Sequence, residues 1–353
     1  MKTTHSMPNV SIRALCLGLI LALLTVDDTW AAGRAVRMNL GTLAPRRSSY
    51  HKALMSMAQE WRDAPDGGVR LVIYPDGTQG GEADMVRLMR IGSLQAGLFT
   101  AVGLADIEPA VSGLQNLPLM FRDLAEFEYV NEQLRPTLAK RMEEKGFVVL
   151  FWVDAGWVRF FSKRPIHHPA DLKTRKIFTW AGDPEQVKIM RAAGYHPVPL
   201  ETADILPGLA TGLIDVVPAP PIFALAGQMD KRAPHMLDLN WAPLVGALVA
   251  RKDAWEKLSV STRVVLLASA QRAGLEIRAR SRKESDDAVE AMKKRGLTVH
   301  PVTPDILQEW RNTVETDIHP RMRGTIVPSD IFDEVVRLLH DYRNNKENAG
   351  KPN

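Results

Sequence analysis

The sequence predicts an α/β protein of two lobes bridged by one long helix. Three observations carry this: a strand-helix-strand-helix-strand series between residues 36 and 100, a second series from residue 158 onward, and a proline-free helical pattern over residues 261–294 that ends at Gly296. Strands alternating with helices mark a parallel sheet with helices over its faces. Thirty-odd helical residues at 1.5 Å each span roughly 50 Å, more than one lobe needs, so this helix is expected to touch both.

Length and composition agree with that division. A chain of 353 residues exceeds one comfortable hydrophobic core, and 45% apolar with 24% charged residues describes a globular protein. The start reads differently. Lys2 and Arg13 precede an uncharged apolar run over residues 14–26, and Thr29-Trp30-Ala31 follows, the pattern of a secretory signal peptide cut after Ala31. The run is about 13 residues, short of the roughly 20 that cross a bilayer core. Export is therefore expected.

Cys16, the only cysteine, lies inside that run and would leave with it, so no disulfide or thiolate metal site is expected. A lipidated Cys16 is the sharper alternative, but bulky Leu15 before it suits such a cleavage badly. The net charge is +4, and losing Lys2, Arg13, Asp27 and Asp28 leaves it unchanged. So small an excess on an exported protein argues against nucleic acid as a partner.

Element by element, residues 36–42 read as a strand and 48–64 as a helix with Ala53, Leu54, Met57, Ala58 and Trp61 on one face. Residues 70–74 give a strand, Pro75-Asp76-Gly77 a turn, 82–91 a helix ended by Gly92, and 96–100 a buried strand. A helix over 124–145 ends at Gly146, and the apolar run 147–153 suits a central strand. The second series has strands at 158–162 and 176–180, a helix capped by Asp183-Pro184 and stopped at Gly194, a helix at 202–211 closed by Gly212, and Val216-Val217 leading into Pro218-Ala219-Pro220-Pro221. Residues 245–250 return as a strand, 304–316 and 329–342 are peripheral helices, and the chain after Arg343 reads as a frayed tail.

Common catalytic signatures are missing. There is no G-x-S-x-G elbow, H-E-x-x-H helix, phosphate loop or G-x-G-x-x-G fingerprint, which disfavours an enzyme of the usual hydrolase, kinase or dehydrogenase types. His167-His168 suggests a metal pair, but neighbours in extended chain point to opposite sides, which favours loop surface. Gly77-Thr78-Gln79-Gly80-Gly81-Glu82 precedes a helix N-terminus and offers either an anion cradle or a tight strand-to-helix turn, and without a basic residue the turn is preferred. The aromatic residues are more telling. Trp152, Trp157, Phe160, Phe161, Phe178, Trp180, Phe223 and Trp241 gather in the middle third of the chain, at or near strand ends, where α/β sheets bind ligands.

Seven stretches carry a family resemblance: Tyr74-Pro75-Asp76-Gly77-Thr78-Gln79-Gly80-Gly81 with Gly92-Ser93-Leu94-Gln95-Ala96-Gly97, then Leu117-Pro118-Leu119-Met120-Phe121-Arg122, then Ser162-Lys163-Arg164-Pro165-Ile166 with Asp171-Leu172-Lys173, then Ala193-Gly194-Tyr195-His196-Pro197-Val198-Pro199, and finally Leu209-Ala210-Thr211-Gly212-Leu213-Ile214-Asp215. In order and spacing the chain resembles the solute-binding proteins of tripartite ATP-independent periplasmic (TRAP) transporters. The resemblance implies a two-lobe periplasmic binding protein fold, each lobe a mixed sheet flanked by helices. It also implies a small solute closed between the lobes, delivery to a TRAP-type membrane permease, no catalysis and no cofactor, with a monomer expected. On this basis residues 32–154 with 244–285 form the first lobe, 155–243 with 286–345 the second, and 346–353 a flexible tail.

The resemblance also implies an arginine in a Lys-x-Arg-x-x strand, a second arginine upstream and an asparagine after the Thr-Gly-x-x-Asp segment, all contacting an organic acid. Those places fall here on Phe178, Val158 and Ala219. If Phe178 faces the cleft, so does Trp180, and if Val158 does, so does Phe160, whereas Arg159 points the other way. A carboxylate without its charged partner loses about 2 to 5 kcal/mol, while burying about 400 Å² of apolar surface gains roughly 10 kcal/mol gross. The expected ligand is lipid-like, sterol-like or aromatic. The expected lining is Val158, Phe160, Phe178, Trp180 and Ala219, with Ala44, Pro45 and Val102 from the first lobe and Trp152, Phe223 and Trp241 nearby. Two alternatives remain: an organic acid held through Arg159, and a periplasmic lipid carrier that works without a permease.

Overall fold

A computed structural model describes residues 36–349. The expected signal peptide with Cys16, and residues 350–353 of the expected tail, lie outside the described residues. From its start the chain runs β1 (Val36–Thr42), α1 (Ser49–Arg62), β2 (Val69–Tyr74), α2 (Glu82–Arg90), β3 (Ala96–Thr100), α3 (Ala101–Ala105), α4 (Leu124–Glu144) and β4 (Phe147–Trp157). The second series is β5 (Arg159–Ser162), α5 (Pro169–Lys173), β6 (Lys176–Trp180), α6 (Pro184–Ala192), β7 (His196–Leu200), α7 (Ile205–Thr211), β8 (Val216–Ala219), α8 (Pro221–Ala226) and β9 (His235–Leu237). Then come β10 (Pro243–Arg251), α9 (Lys252–Glu256), α10 (Val260–Lys293), β11 (Thr298–His300), α11 (Pro304–Thr313), α12 (His319–Met322) and α13 (Ser329–Ala349).

These strands make two sheets, and each sheet is the floor of one lobe. The first has the order β2-β1-β3-β10-β4 and the second β11-β9-β5-β8-β6-β7. Both are mixed. In the first, β1 runs parallel to β2 and β3 while β10 runs antiparallel to β3 and β4; in the second, β5 is antiparallel to β8 and β9 while β6 is parallel to β7. β10 is buried along nearly all its length, which its unbroken apolar sequence already requires of a strand covered on both faces.

α10 joins the lobes by burying different parts of itself in each. Leu266, Ala270, Ala273 and Ile277 enter a core shared with Met38, Leu54 and Trp61 of the first lobe, whereas Ala288 and Met292 enter one shared with Phe161, Phe178 and Val217 of the second. The Trp61 indole nitrogen donates to the Leu266 carbonyl at 3.2 Å, fixing α1 against α10. Gly274 permits the close approach to β4, because a Cβ there would stand 2.7 Å from Phe151 Cγ. At its start α1 is capped by Ser48, whose hydroxyl accepts from the His51 amide at 3.3 Å.

Several boundaries differ from the sequence reading. β4 continues past Val153 to Trp157, because β10 goes on pairing with it as far as Pro243. The helix expected over 304–316 gives way to a π-helical turn at Val314–Ile318. The tail expected to be flexible from 346 is helical through Ala349 as the end of α13. That helix, placed by the sequence with the second lobe, lies against α4 over the first sheet. Arg343 holds it there, donating to both carboxylate oxygens of buried Glu126 at 2.8 and 2.7 Å.

Candidate functional site

Between the lobes lies a cavity of about 490 Å³. Its first-lobe wall comes from the chain just after β1 (Leu43, Ala44, Pro45), from Tyr50 on α1, from the end of β3 with Val102, and from Val153 to Ala155 of β4. Its second-lobe wall comes from Val158, Phe160, the end of β6 and the β8–α8 corner, with Trp241 and Leu244 closing the crossover side. The cavity then runs on into the second lobe as far as Tyr195, Ile318 and Met322. It thus sits beyond strand carboxyl ends, where helices do not cover the sheets.

Aromatic contacts shape the wall. Phe178 and Trp180 meet edge to face with centroids 5.2 Å apart, Phe160 lies against Trp241 at 5.0 Å and Trp310 at 5.9 Å, and Phe223 tilts over Tyr50 at 5.7 Å. Such pairs hold large apolar area in fixed orientation. Among the described residues that line the cavity there is no arginine, lysine or histidine.

Its carboxylates, Asp76, Glu82 and Asp154, each find partners within the protein. Glu82, in the first turn of α2, is buried; one oxygen accepts from the Thr100 amide at 2.7 Å, and the other from the Thr100 hydroxyl at 2.6 Å and the Gly103 amide at 2.9 Å. Burial pushes its carboxyl above the ordinary range despite these bonds. Asp154 accepts from Arg282 Nε at 3.1 Å and Nη2 at 2.9 Å and from the Gly156 amide at 3.2 Å. The Tyr50 hydroxyl donates to the Asp154 carbonyl at 3.2 Å, and burial pushes that phenol up, so it stays protonated. Asp76 turns outward to Arg46.

Of the twelve residues singled out from the sequence, ten line this cavity: Val158, Phe160, Phe178, Trp180, Ala219, Ala44, Pro45, Val102, Phe223 and Trp241. Trp152 does not. It packs from the side against the core cluster that holds Phe147, Val245 and Val249, where its place on β4, next to Val153, turns it away from the cavity. Arg159 does not either, though for a subtler reason than opposition to the aromatics. It opposes Phe160 along β5, but it stands directly across from Ala219 on β8 and so leaves the same face as Ala219. Its guanidinium then runs away to Asp238, Nε to Oδ1 3.3 Å, leaving Nη1 buried without a partner. The glycine loop behaves as a turn: Gly77 and Gly80 have φ of 66° and 97°, and the Gly80 amide donates to the Gly77 carbonyl. His167 and His168 part company, the first against His300 and the second bonded to Glu309 at 2.6 Å. No group of three or more metal-ligating side chains occurs among the described residues.

Tyr50, Glu82, Asp154, Gln115 and Asn116 line the cavity without having been singled out. Tyr50 and Glu82 sit in the first turns of helices, beside glycine- or proline-bearing loops that follow strands, and that position is a readable signal. Asp154, inside an apolar strand, is readable only as a polar interruption.

Comparison with known proteins places this geometry. A model of bacterial extracellular solute-binding proteins, family 7, matches residues 40–323. The 2,3-diketo-L-gulonate-binding periplasmic protein of Escherichia coli K12 is 26% identical over 295 residues, 82% of this chain and 88% of its own. The C4-dicarboxylate-binding periplasmic protein of Rhodobacter capsulatus is 22% identical over 268 residues, 74% of this chain and 78% of its own. A TRAP periplasmic solute-binding protein from Roseobacter denitrificans, solved with β-D-glucuronate, superposes with a TM-score of 0.78 at 20% identity over 86% of this chain and 98% of that one. Another from Desulfovibrio salexigens, solved with orotic acid, gives 0.77 at 18% over 86% and 97%.

Proposed function

Since the chain belongs to family 7 of the bacterial extracellular solute-binding proteins, the solute receptors of TRAP transporters, we propose that it captures a solute with a large apolar or aromatic body in the periplasm and hands it to a TRAP-type permease. The observation that carries the ligand class is the cationless aromatic lining. A carboxylate buried there meets Glu82 and Asp154 instead of a counter-charge, which costs several kcal/mol. An apolar body of about 400 Å² gains roughly 10 kcal/mol before association costs. Nothing in this role calls for catalysis or a cofactor, and a monomer suffices.

A second reading has its own support. The relatives are named for 2,3-diketo-L-gulonate and C4-dicarboxylates, and the superposing structures hold a uronate and orotic acid; these ligands favour an organic acid over an apolar solute. For this chain that reading requires a cation to enter the cavity. Arg159 is the candidate, because it stands across from Ala219 and keeps one unpartnered nitrogen.

Titration of the purified protein with N-phenyl-1-naphthylamine, an uncharged aromatic fluorophore, and separately with D-glucuronate decides between them. Micromolar binding of the fluorophore, undisturbed by millimolar glucuronate, supports the apolar reading. Micromolar glucuronate binding that Arg159→Ala abolishes supports the acid.

A further inference from the structure

The cavity is not confined to the gap between the lobes, because its wall takes residues from both faces of the second sheet. Register fixes those faces. Ile177 stands beside Val216, Val216 beside Ser162, and Phe160 lies two residues from Ser162, so Phe160, Ile177 and Thr179 share one face. Phe178 and Trp180 belong to the other, with Phe161, Val217 and Ala219. On the first of these faces the cavity continues as an arm, lined by Leu172 of α5, Ile189 and Met190 of α6, Tyr195, Ile318 from the π-helical turn and Met322 of α12. All six pack in one core with Ile177 and Phe160. β6 runs toward the gap, so Thr179 stands at the neck of the arm and Ile177 about 7 Å deeper, two residues further from the strand end.

Gap and arm differ in chemistry. The three carboxylates of the lining, Asp76, Glu82 and Asp154, all come from the first lobe, as do Thr42, Gln115 and Asn116. Gln115 Oε1 accepts from the Val245 amide at 2.9 Å, which leaves its amide nitrogen to donate elsewhere. The arm is aliphatic by contrast, and its Tyr195 phenol, pushed up by burial and by Asp317, stays neutral. Thr179 at the neck is 3% exposed, and its hydroxyl is buried with no hydrogen-bond partner among the described residues. A buried hydroxyl left unpaired is costly, and a ligand oxygen at the neck would satisfy it.

The two compartments set the shape of their occupant. The one walled by Phe178 and Trp180 and the arm beyond Thr179 lie against opposite faces of one sheet and meet only past the end of β6. A rigid fused-ring body cannot fill both, whereas a flexible chain can turn the corner. We propose, resting on the apolar reading of this cavity, that the solute is a single-chain acyl lipid with an uncharged polar head. The chain enters the second-lobe arm, the acyl carbonyl accepts from Thr179 at the neck, and the head lies between the lobes toward Gln115 and Asn116. The absence of a cation from the described lining sets the head's charge, and one arm takes one chain.

Calorimetric titration with 1-monoacylglycerols of six, eight and ten acyl carbons, each below its micelle concentration, tests the arm without the fluorophore. In the parent protein affinity should rise about threefold or more per methylene, at least about fiftyfold over the series. Met190→Trp, which fills the arm, should abolish that rise, and Thr179→Val should weaken all three ligands about fivefold while leaving the rise in place. On the parent protein, a ten-carbon monoacylglycerol carrying a diazirine at its chain end should attach on irradiation to peptides holding residues 189–195 or 318–322. Equal affinity at every length, a rise that persists in Met190→Trp, no loss in Thr179→Val, or attachment confined to residues 42–50 and 221–229 overturns the proposal. The crosslink is read on the unaltered chain, so it decides even where a variant fails to fold. Fluorophore binding with no dependence on acyl length would remove this inference and leave the apolar reading standing; failure of both ligands would remove both.

Discussion

Phe178 and Trp180 meet edge to face, ring centroids 5.2 Å apart and planes at 73°, at the cavity end of β6. The resemblance places a carboxylate-binding arginine at the first of these positions. Here the benzyl ring is 2% exposed and belongs to the same core as Phe161, Leu209 and Val217, so apolar packing continues from the lobe interior to the cavity wall.

Phe178→Arg sets a cation into that core with no acid placed to receive it. The variant should lose about 3 to 5 kcal/mol of folding stability, read by chemical denaturation, and bind N-phenyl-1-naphthylamine at least about tenfold more weakly. Unchanged fluorophore affinity would remove Phe178 from the site.

Arg159→Met separates the two ligand readings at little structural cost. The guanidinium is already half-satisfied and its partner Asp238 is half-exposed, so replacement by an apolar chain of similar length should change stability by less than about 1 kcal/mol. Fluorophore affinity should stay within about twofold. A large loss of affinity for any ligand would bring Arg159 into the site.

Asp154→Asn leaves Arg282 without its two-pronged partner at the point where β4 meets α10. The side chain of Asp154 is 1% exposed, which makes an uncompensated neighbour expensive, and a loss of about 3 kcal/mol in denaturant is expected. A loss under about 0.5 kcal/mol would mean that Glu128 alone satisfies Arg282.

His319 gives a pH dependence with a definite sign. Its Nε2 donates to the Pro118 carbonyl at 2.9 Å and its ring meets Phe332 edge on, and burial holds it below the usual histidine range. The folded protein therefore takes up this proton less readily than the unfolded chain. Its contribution to stability is fully present above about pH 6.5 and is lost as pH falls below that value. Denaturation at pH 7.5, 6.0 and 5.0 should show a smaller acid loss in His319→Gln than in the parent; equal losses would contradict it.

Much of the architecture was legible because it is written in local pattern. The apolar face of α1, the glycine stops after α2 and α4, and the unbroken helical stretch of α10 each need only their own residues to be read. What was missed depends on partners. β9 and β11 are three residues long and exist through pairing, β9 with β5 and β11 with β9 at the edge of the second sheet, and α13 lies over the first lobe because Arg343 finds Glu126, 217 residues away. The cavity wall was readable for a mixed reason: the resemblance marked Phe178, Val158 and Ala219, and strand alternation supplied Trp180 and Phe160. Arg159 shows the limit of alternation, since its face was fixed by the register with Ala219, and its final direction by Asp238, neither visible along β5 alone.

Native mass spectrometry of the protein purified from an exporting host, with organic extraction of whatever stays bound, tests the cationless cleft most directly. A retained lipid, sterol or other uncharged aromatic molecule is the predicted result. A retained small organic acid would contradict it and would place a cation, Arg159 first, at the ligand.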